Sequence, residues 1–195
     1  RAQIAKGLSF SGNLHHTLGA YAVGSWDFNK IESGKVLDIS GYDNYGTVSG
    51  AVLVKSIPEL KNALQFDGVD DYVDAGSKDS IDDIFASGGT ISAWIYPQGW
   101  GEISYGRIVV KASNTGSDFG WGFMINNGSC SGCLQLAKGF TIANGNWNTP
   151  NNSITLNQWQ HVVVTYNHSS TANDPSFYIN GVSQTITEEG IPSGI

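Results

Sequence analysis

The sequence is poor in charged residues and contains no long apolar run. Of its 195 residues only 14% are charged, and 17 acidic residues outnumber 10 basic ones, for a formal net charge of −7. A chain with so few positive charges is unsuited to binding the phosphates of nucleic acid or an anionic lipid surface. No stretch approaches the roughly 20 apolar residues that cross a bilayer. We therefore expect neither a nucleic-acid partner nor a membrane span.

Cysteine is equally scarce, with Cys130 and Cys133 as the complete set. A zinc knuckle needs a second pair of ligands, and a redox Cys-x-x-Cys motif normally opens a helix, whereas Gly and Ser surround this pair. We favour a disulfide that closes the tip of a hairpin, with two free thiols as the alternative. A disulfide implies an oxidising compartment, so we expect an extracellular or cell-surface location.

The first twenty residues differ in pattern from the rest of the chain. Ile4, Leu8, Leu14 and Leu18 recur at spacings that place them on one helical face. Glycines at three positions weaken such a helix, each by about 1 kcal/mol relative to alanine. The pattern predicts a short N-terminal α-helix over residues 1–20.

From Tyr21 onward the pattern is typical of short strands separated by Asn-Gly and Asp-Gly turns. Residues 63–66 and 72–75 flank Asp67-Gly68 and predict a hairpin. With no helical pattern between the strands, we predict an all-β, two-sheet antiparallel sandwich. The predicted strands are 22–28, 63–66, 72–75, 90–96, 107–111, 120–125, 134–137, 159–166 and 176–179.

Five ordered motifs in this region resemble bacterial laminin-G-like domains of the concanavalin A-like class. They are Trp26-Asp27-Phe28 with 38–46, then 63–73, 90–97, 158–166 and 177–181. The resemblance implies a jelly-roll domain over 21–195 that recognises glycans or protein surfaces, often with one structural calcium ion. Such domains usually continue beyond the strand at 177–181. We therefore expect either that the sequence is a fragment without the last strands or that another chain completes the sheet.

The segment Arg1-Ala2-Gln3-Ile4-Ala5-Lys6, continuing through Leu14 and Leu18 to Tyr21, resembles the exposed half of a type IV pilin or pseudopilin helix. This resemblance implies a pilin-like stalk that displays the jelly roll and contacts other pilin-like subunits. An ordinary N-terminal linker helix is the alternative.

Catalysis is not predicted. Glucanases with this fold carry a Glu-x-Asp-x-(x)-Glu strand, which holds two carboxylates on one face. The five glutamates here are outside that pattern, and the neighbours Glu188 and Glu189 would point to opposite sides of an extended strand. A glycan-cleaving enzyme that pairs distant carboxylates stays as a weaker alternative.

Glycan binding calls for exposed aromatic faces beside amide or backbone donors. Trp100 and Tyr105 lie in a Gly-rich connection, and Trp147 lies in an Asn-rich segment read here as a loop. The candidate ligand-binding residues are Trp100, Tyr105, Trp121, Asn144, Asn146 and Trp147. Convergence of Trp100, Tyr105 and Trp147 on one groove would favour a lectin, whereas dispersal would favour a structural subunit. The tryptophans on predicted strands are assigned to the core: Trp26, Trp94 and Trp159.

Calcium takes six to eight oxygen ligands, so clusters of Asp and Asn are its candidate sites. Asp67, Asp70 and Asp71 surround one turn, and Asp38, Asp43 and Asn44 surround another. Hydrogen bonds within the turn are the alternative explanation for both clusters.

These observations predict a non-catalytic, surface-displayed binding module that recognises a glycan or a cell-surface protein. The alternative from another class is a structural subunit of a filament or surface assembly.

Overall fold

The computed structural model describes residues 3–6, 22–29, 31–57, 61–111 and 120–194. Almost all regular structure in these ranges is β-strand. One helix is described, the single turn α1 (Asp79–Asp82). The strands are β1 (Gln3–Lys6), β2 (Ile31–Glu32), β3 (Lys35–Val36), β4 (Gly46–Ser49), β5 (Val52–Lys55), β6 (Asn62–Phe66), β7 (Tyr72–Asp74), β8 (Gly89–Pro97), β9 (Tyr105–Lys111), β10 (Trp121–Asn126), β11 (Cys133–Lys138), β12 (Gly145–Asn148), β13 (Gln160–Tyr166), β14 (Ser176–Ile179), β15 (Val182–Gln184) and β16 (Thr187–Gly190).

The described strands form three sheets rather than the two predicted. A seven-stranded sheet has the order β15-β14-β13-β8-β1-β6-β5, and a five-stranded sheet has the order β16-β12-β11-β10-β9. A four-stranded sheet, β2-β3-β4-β7, adjoins them. Every strand pairing is antiparallel, which confirms the all-β class and is consistent with a jelly-roll sandwich.

The main core lies between the seven-stranded and five-stranded sheets, because each sheet turns one apolar face inward. Along β8, Ile91, Ala93 and Ile95 are buried and alternate with half-buried residues, as a two-residue period requires. β13 repeats this alternation with Val162 and Val164. The five-stranded sheet adds large side chains to the same cluster: Trp121, Phe123, Ile125, Leu134, Leu136 and Trp147.

Three local predictions are wrong. Residues 3–6 form β1, paired with β6 and β8, and not a helix; the rest of the predicted helix and pilin-like segment lies outside the described residues. Residues 63–66 and 72–75 do not make a hairpin, since β6 and β7 belong to different sheets. Residues 22–28 contain no strand.

The reason for the lost hairpin is that Asp67-Gly68 begins a crossover between sheets, and both partners of β6 come from elsewhere in the chain. Within the described ranges, no helix has the length and apolar character needed to cross a membrane.

Candidate functional site

The outer face of the five-stranded sheet carries a row of side chains that runs across all five strands. Arg107 on β9 pairs with Met124 on β10, and Met124 pairs in turn with Gln135 on β11. Gln135 pairs with Asn148 on β12, whose partner on β16 is Thr187. Because the inner-face residues of these strands fill the core, this row faces outward and is mainly polar.

A second row, one step along the strands, is built largely from small residues. It consists of Val110, Gly122, Ala137, Asn146 and Gly190, which oppose one another from β9 to β16. Residues without long side chains leave a trough between taller neighbours. A Cβ added at Gly190 would lie 2.8 Å from the Asn146 side-chain nitrogen, so glycine leaves the space that this amide occupies.

A cavity of about 500 Å³ lies on this face and opens to solvent. Glu189 reaches it because the pairing of β12 with β16 shifts register between Asn146 and Trp147, which inserts Glu189 as an extra residue. We call this cavity the groove. Its described lining residues are Tyr105, Arg107, Val110, Met124, Ser129, Gln135, Ala137, Asn146 and Glu189.

The polar lining of the groove consists of two amides, two hydroxyls and two charged groups, and the amide of Gln135 is the most buried of these. Gln135 Nε2 donates a hydrogen bond of 2.9 Å to Asn148 Oδ1, and the two residues are only 6% and 2% exposed. The Asn148 Nδ2 group is buried without a partner among the described residues. Gln135 Oε1 and the side-chain amide of half-buried Asn146 also make no hydrogen bond within the described ranges, but they are not buried like Asn148 Nδ2. A buried amide that lacks a partner carries a cost that a polar ligand or a water molecule relieves.

Charged groups lie at opposite sides of the groove. Arg107, on the β9 side, forms an ion pair of 3.1 Å with Glu102, and both side chains are more than half exposed. Such an exposed pair contributes little to stability and yields readily to another partner. On the β16 side, Glu189 supplies the one carboxylate among the described lining residues.

Two predicted ligand-binding residues belong to the core. Trp147 is fully buried and Trp121 is 5% exposed. The Trp147 ring packs on Tyr166 with ring centres 5.1 Å apart. The prediction of an exposed Trp147 is wrong because Asn146-Trp147-Asn148 is the alternating strand β12, whose apolar residue turns inward.

The other four predicted residues divide between the groove and its surroundings. Tyr105 and Asn146 line the groove. Trp100 packs against the core and lies over Gly132, where an added Cβ would be 2.7 Å from its ring. Asn144 is exposed outside the groove, and its Oδ1 accepts a hydrogen bond of 3.4 Å from the Phe140 amide. Trp100, Tyr105 and Trp147 are therefore dispersed.

Sequence reasoning missed most of the lining, namely Arg107, Val110, Met124, Ser129, Gln135, Ala137 and Glu189. One signal was present: Leu134-Gln135-Leu136 alternates, and a polar residue between two buried leucines must face outward. The neighbours of Gln135 across the sheet depend on strand pairing, which no single strand pattern reveals.

The core assignment of Trp94 is also wrong. Trp94 lies on the outer face of the seven-stranded sheet, half-buried, while smaller Ala93 and Ile95 point inward. Its ring packs at 5.3 Å from the ring of His161, and Tyr96 packs at 5.6 Å from Trp159. Trp26 is half-buried as well and donates from Nε1 to the Asn44 carbonyl at 2.7 Å.

A disulfide joins Cys130 to Cys133 at the tip of the β10–β11 hairpin. Just before it, Ser129 Oγ accepts a hydrogen bond of 3.0 Å from Asn126 Nδ2, and Ser129 lines the groove. Next to the bridge, the Ser131 amide donates to Asn151 Oδ1 at 3.0 Å. The bridge therefore closes the loop that forms one end of the groove.

The first predicted calcium cluster is brought together. Carboxylate oxygens of Asp67, Asp70 and Asp71 lie within 4.8 Å of one another near the surface. Asp67 Oδ1 accepts from the Val69 amide at 2.8 Å, and Asp71 Oδ2 accepts from the Asp67 amide at 2.8 Å. Backbone amide donors, first that of Val69, hold the pKa of Asp67 below its ordinary value. The remaining oxygens are of the type that calcium prefers but supply only part of a full shell.

The second cluster serves the fold. Both carboxylate oxygens of buried Asp38 are occupied: Oδ1 accepts from the Ser25 and Ser40 amides, and Oδ2 from Ser40 Oγ and the Asn44 amide, all within 2.9 Å. Asp43 accepts from the Tyr45 hydroxyl at 2.7 Å instead. Hydrogen bonds account for this cluster without a cation.

Comparison with known proteins identifies the family. The laminin G-type model of the concanavalin A-like lectin/glucanases superfamily matches residues 67–192, which is more than half of the chain. Searches among curated proteins and among solved structures gave no significant match. The matched residues include all five strands of the five-stranded sheet, β9 to β12 and β16. The chain therefore belongs to the concanavalin A-like lectin/glucanase superfamily.

Proposed function

We propose that this chain is a non-catalytic module that binds a glycan in the groove on the outer face of its five-stranded sheet. The observation that carries the proposal is the groove itself, a trough lined by amide, hydroxyl and small side chains. Carbohydrate hydroxyls need donors and acceptors held in place. The bond between Gln135 and Asn148 holds one such amide at the base of the groove.

The superfamily contains glucanases as well as lectins, so the family alone does not decide between them. Hydrolysis of a glycosidic bond generally uses two carboxyl groups, roughly 5 to 10 Å apart on either side of the bond. Among the described lining residues only Glu189 has a carboxyl group. This favours binding over cleavage.

The test is a titration of isotopically labelled protein with glycans selected on an array, observed through the side-chain amide signals. We expect the Gln135 and Asn146 signals to move on binding, while those of Asn144 and Asn173 stay in place. Signals that move only outside the groove would reject this site. Release of new reducing ends during the same titration would replace the binding role with an enzymatic one.

The setting of this activity is proposed to be extracellular adhesion. The disulfide supports it, since such bridges persist mainly in oxidising compartments.

One structural calcium ion is proposed at the turn that contains Asp67, Asp70 and Asp71. Bound there, it would neutralise three close carboxylates and stiffen the crossover between β6 and β7. The Asp70 carboxylate makes no hydrogen bond within the described ranges, which leaves both its oxygens free for the ion.

A structural subunit remains the second candidate because of two observations. The first is the dispersal of Trp100, Tyr105 and Trp147, of which only Tyr105 lines the groove. The second is a cluster of aromatic side chains on another face. The outer face of the seven-stranded sheet carries two adjacent pairs of half-buried aromatic rings, Trp94 with His161 and Tyr96 with Trp159, the last residue before β13. Clusters of surface aromatics are typical of protein interfaces. Light scattering over a range of protein concentrations tests this candidate: self-association that Trp94→Ser abolishes would favour it, and a monomer throughout would count against it.

A further inference from the structure

We infer that the groove selects glycans that carry an acetamido group, as in N-acetylated amino sugars. The inference rests on the proposed function and names the ligand class for the same site. It starts from two amide side chains, Gln135 and Asn146, that line the groove together.

The two amides are placed to act as a pair. Gln135 is opposite Asn148 and Asn146 is opposite Ala137, so Gln135 and Asn146 are diagonal neighbours on adjacent strands. Such neighbours have Cα atoms roughly 7 to 8 Å apart, and the Gln135 side chain already reaches across to β12, where it bonds Asn148. Asn146 Nδ2 lies beside Gly190, on the other side of β12. A planar group of a ligand can therefore contact both amides at once.

Their hydrogen-bonding capacity matches an acetamido group. The bond from Gln135 Nε2 to Asn148 leaves Gln135 Oε1 as an acceptor, and the Asn146 Nδ2 group makes no hydrogen bond within the described ranges. An acetamido group has one N–H donor and one carbonyl acceptor. Its N–H would donate to Gln135 Oε1, and its carbonyl would accept from Asn146 Nδ2.

The apolar lining completes the match. Met124 is directly opposite Gln135, and Ala137 follows two residues after Gln135 on the same face. Together with Val110, these side chains form the apolar part of the groove lining. Met124 and Ala137 are each only 7% exposed, so the apolar surface that they expose is small and of the size that one methyl group covers.

The charges at the rim are consistent with an uncharged ligand. Arg107 disfavours a cationic group on the β9 side, and Glu189 disfavours an anionic group on the β16 side. Acetylation removes the positive charge of an amino sugar, so the acetylated and deacetylated forms differ in charge as well as in shape.

The experiment compares three β-linked tetramers by calorimetry: N-acetylglucosamine, glucosamine and glucose. We expect the acetylated tetramer to bind at least about tenfold more tightly than either of the others, since two added hydrogen bonds of ordinary strength amount to that factor. Equal affinity for the glucose tetramer would overturn the inference. So would an array on which the glycans that bind lack acetamido groups.

A matched pair of variants locates the selectivity. Asn146→Asp keeps the shape of the side chain and removes its donor, so the preference for the acetylated tetramer should fall to near parity. Asn144→Asp makes the same chemical change outside the groove and should retain the preference. If both variants keep it, the inference fails even though glycan binding stands. If unmodified protein binds no glycan on the array, the proposed function fails with it.

Discussion

The indole Nε1 of Trp147 donates a hydrogen bond of 2.9 Å to the carboxylate of Asp174. This bond joins strand β12 to the loop before β14 and so ties the two large sheets together. The Trp147 ring fills the core directly beneath the groove, next to Tyr166. Burial, reinforced by the charges of Asp174 and Glu188, raises the pKa of Tyr166 to about 12, so its hydroxyl stays protonated at any pH of interest.

Trp147→Ala should therefore destabilise the fold. Loss of a fully buried tryptophan costs about 3 to 5 kcal/mol, and Asp174 loses its partner as well. Trp147→Phe keeps an aromatic ring but removes the hydrogen bond to Asp174, so it should lose less stability than Trp147→Ala. Urea denaturation followed by circular dichroism measures both values, and an unchanged midpoint for Trp147→Ala would contradict the position of this side chain.

Trp94→Ala should be much milder. Trp94 is half-buried on the outer face of the seven-stranded sheet and packs mainly on His161, so we expect a loss of about 1 to 2 kcal/mol. The same denaturation experiment applies. A loss as large as that of Trp147→Ala would show that Trp94 belongs to a core.

The disulfide should hold the end of the groove. Native protein in the absence of reductant should show no reactive thiol, and two reactive thiols would refute the bridge. The double substitution of Cys130 and Cys133 by alanine should cost about 2 kcal/mol or less, because the closed loop is very short. It should also weaken glycan binding by freeing the loop of Ser129. Ser131→Ala, which keeps the bridge, is the control.

Calcium should raise the melting temperature if the turn at Asp67, Asp70 and Asp71 binds it. The increase should grow with calcium concentration, as expected for a ligand that binds only the folded state. Asp70→Asn should abolish this increase while leaving the melting temperature in chelator nearly unchanged. Asp79→Asn, on the exposed helix α1, controls for the loss of one negative charge. An identical melting curve in calcium and in chelator would remove the ion from the proposal.

Stability should fall on mild acidification. Burial lowers the pKa of His161 below its ordinary value of 6.5, so the unfolded chain binds the proton more tightly than the folded protein does. The contribution of His161 to the free energy of unfolding is therefore complete above pH 6.5. It is lost as the pH falls toward the lowered pKa of the folded state. His161→Gln should flatten the dependence of melting temperature on pH between about 7.5 and 5.5, leaving a smaller slope from His168, whose pKa burial also lowers. An unaltered slope would exclude His161 as a source.

How far the sequence could predict the site depends on the residue. Gln135 was open to prediction as an outward-facing residue, because Leu134 and Leu136 flank it in an alternating strand. The glycine and asparagines around Trp147 are typical of turns and predict a loop there. In the structure Asn146 and Asn148 alternate with Trp147 on β12 and face outward. Local propensity and strand alternation conflicted there, and tertiary packing of the indole decided the outcome.

The sequence by itself determined the all-β class, the family and the positions of eight of the sixteen described strands. Alternating apolar residues and glycine-containing turns are local features, as in Thr90–Tyr96 of β8. Only the tertiary structure decided which face of β8 is the core, why β6 and β7 separate, and which side chains meet in the groove. Arg107, Gln135 and Glu189 are far apart in the chain and become neighbours through strand order, register and one bulge. Strand order, register and the bulge depend on how whole sheets bury their apolar faces against each other. A local sequence pattern does not contain that information.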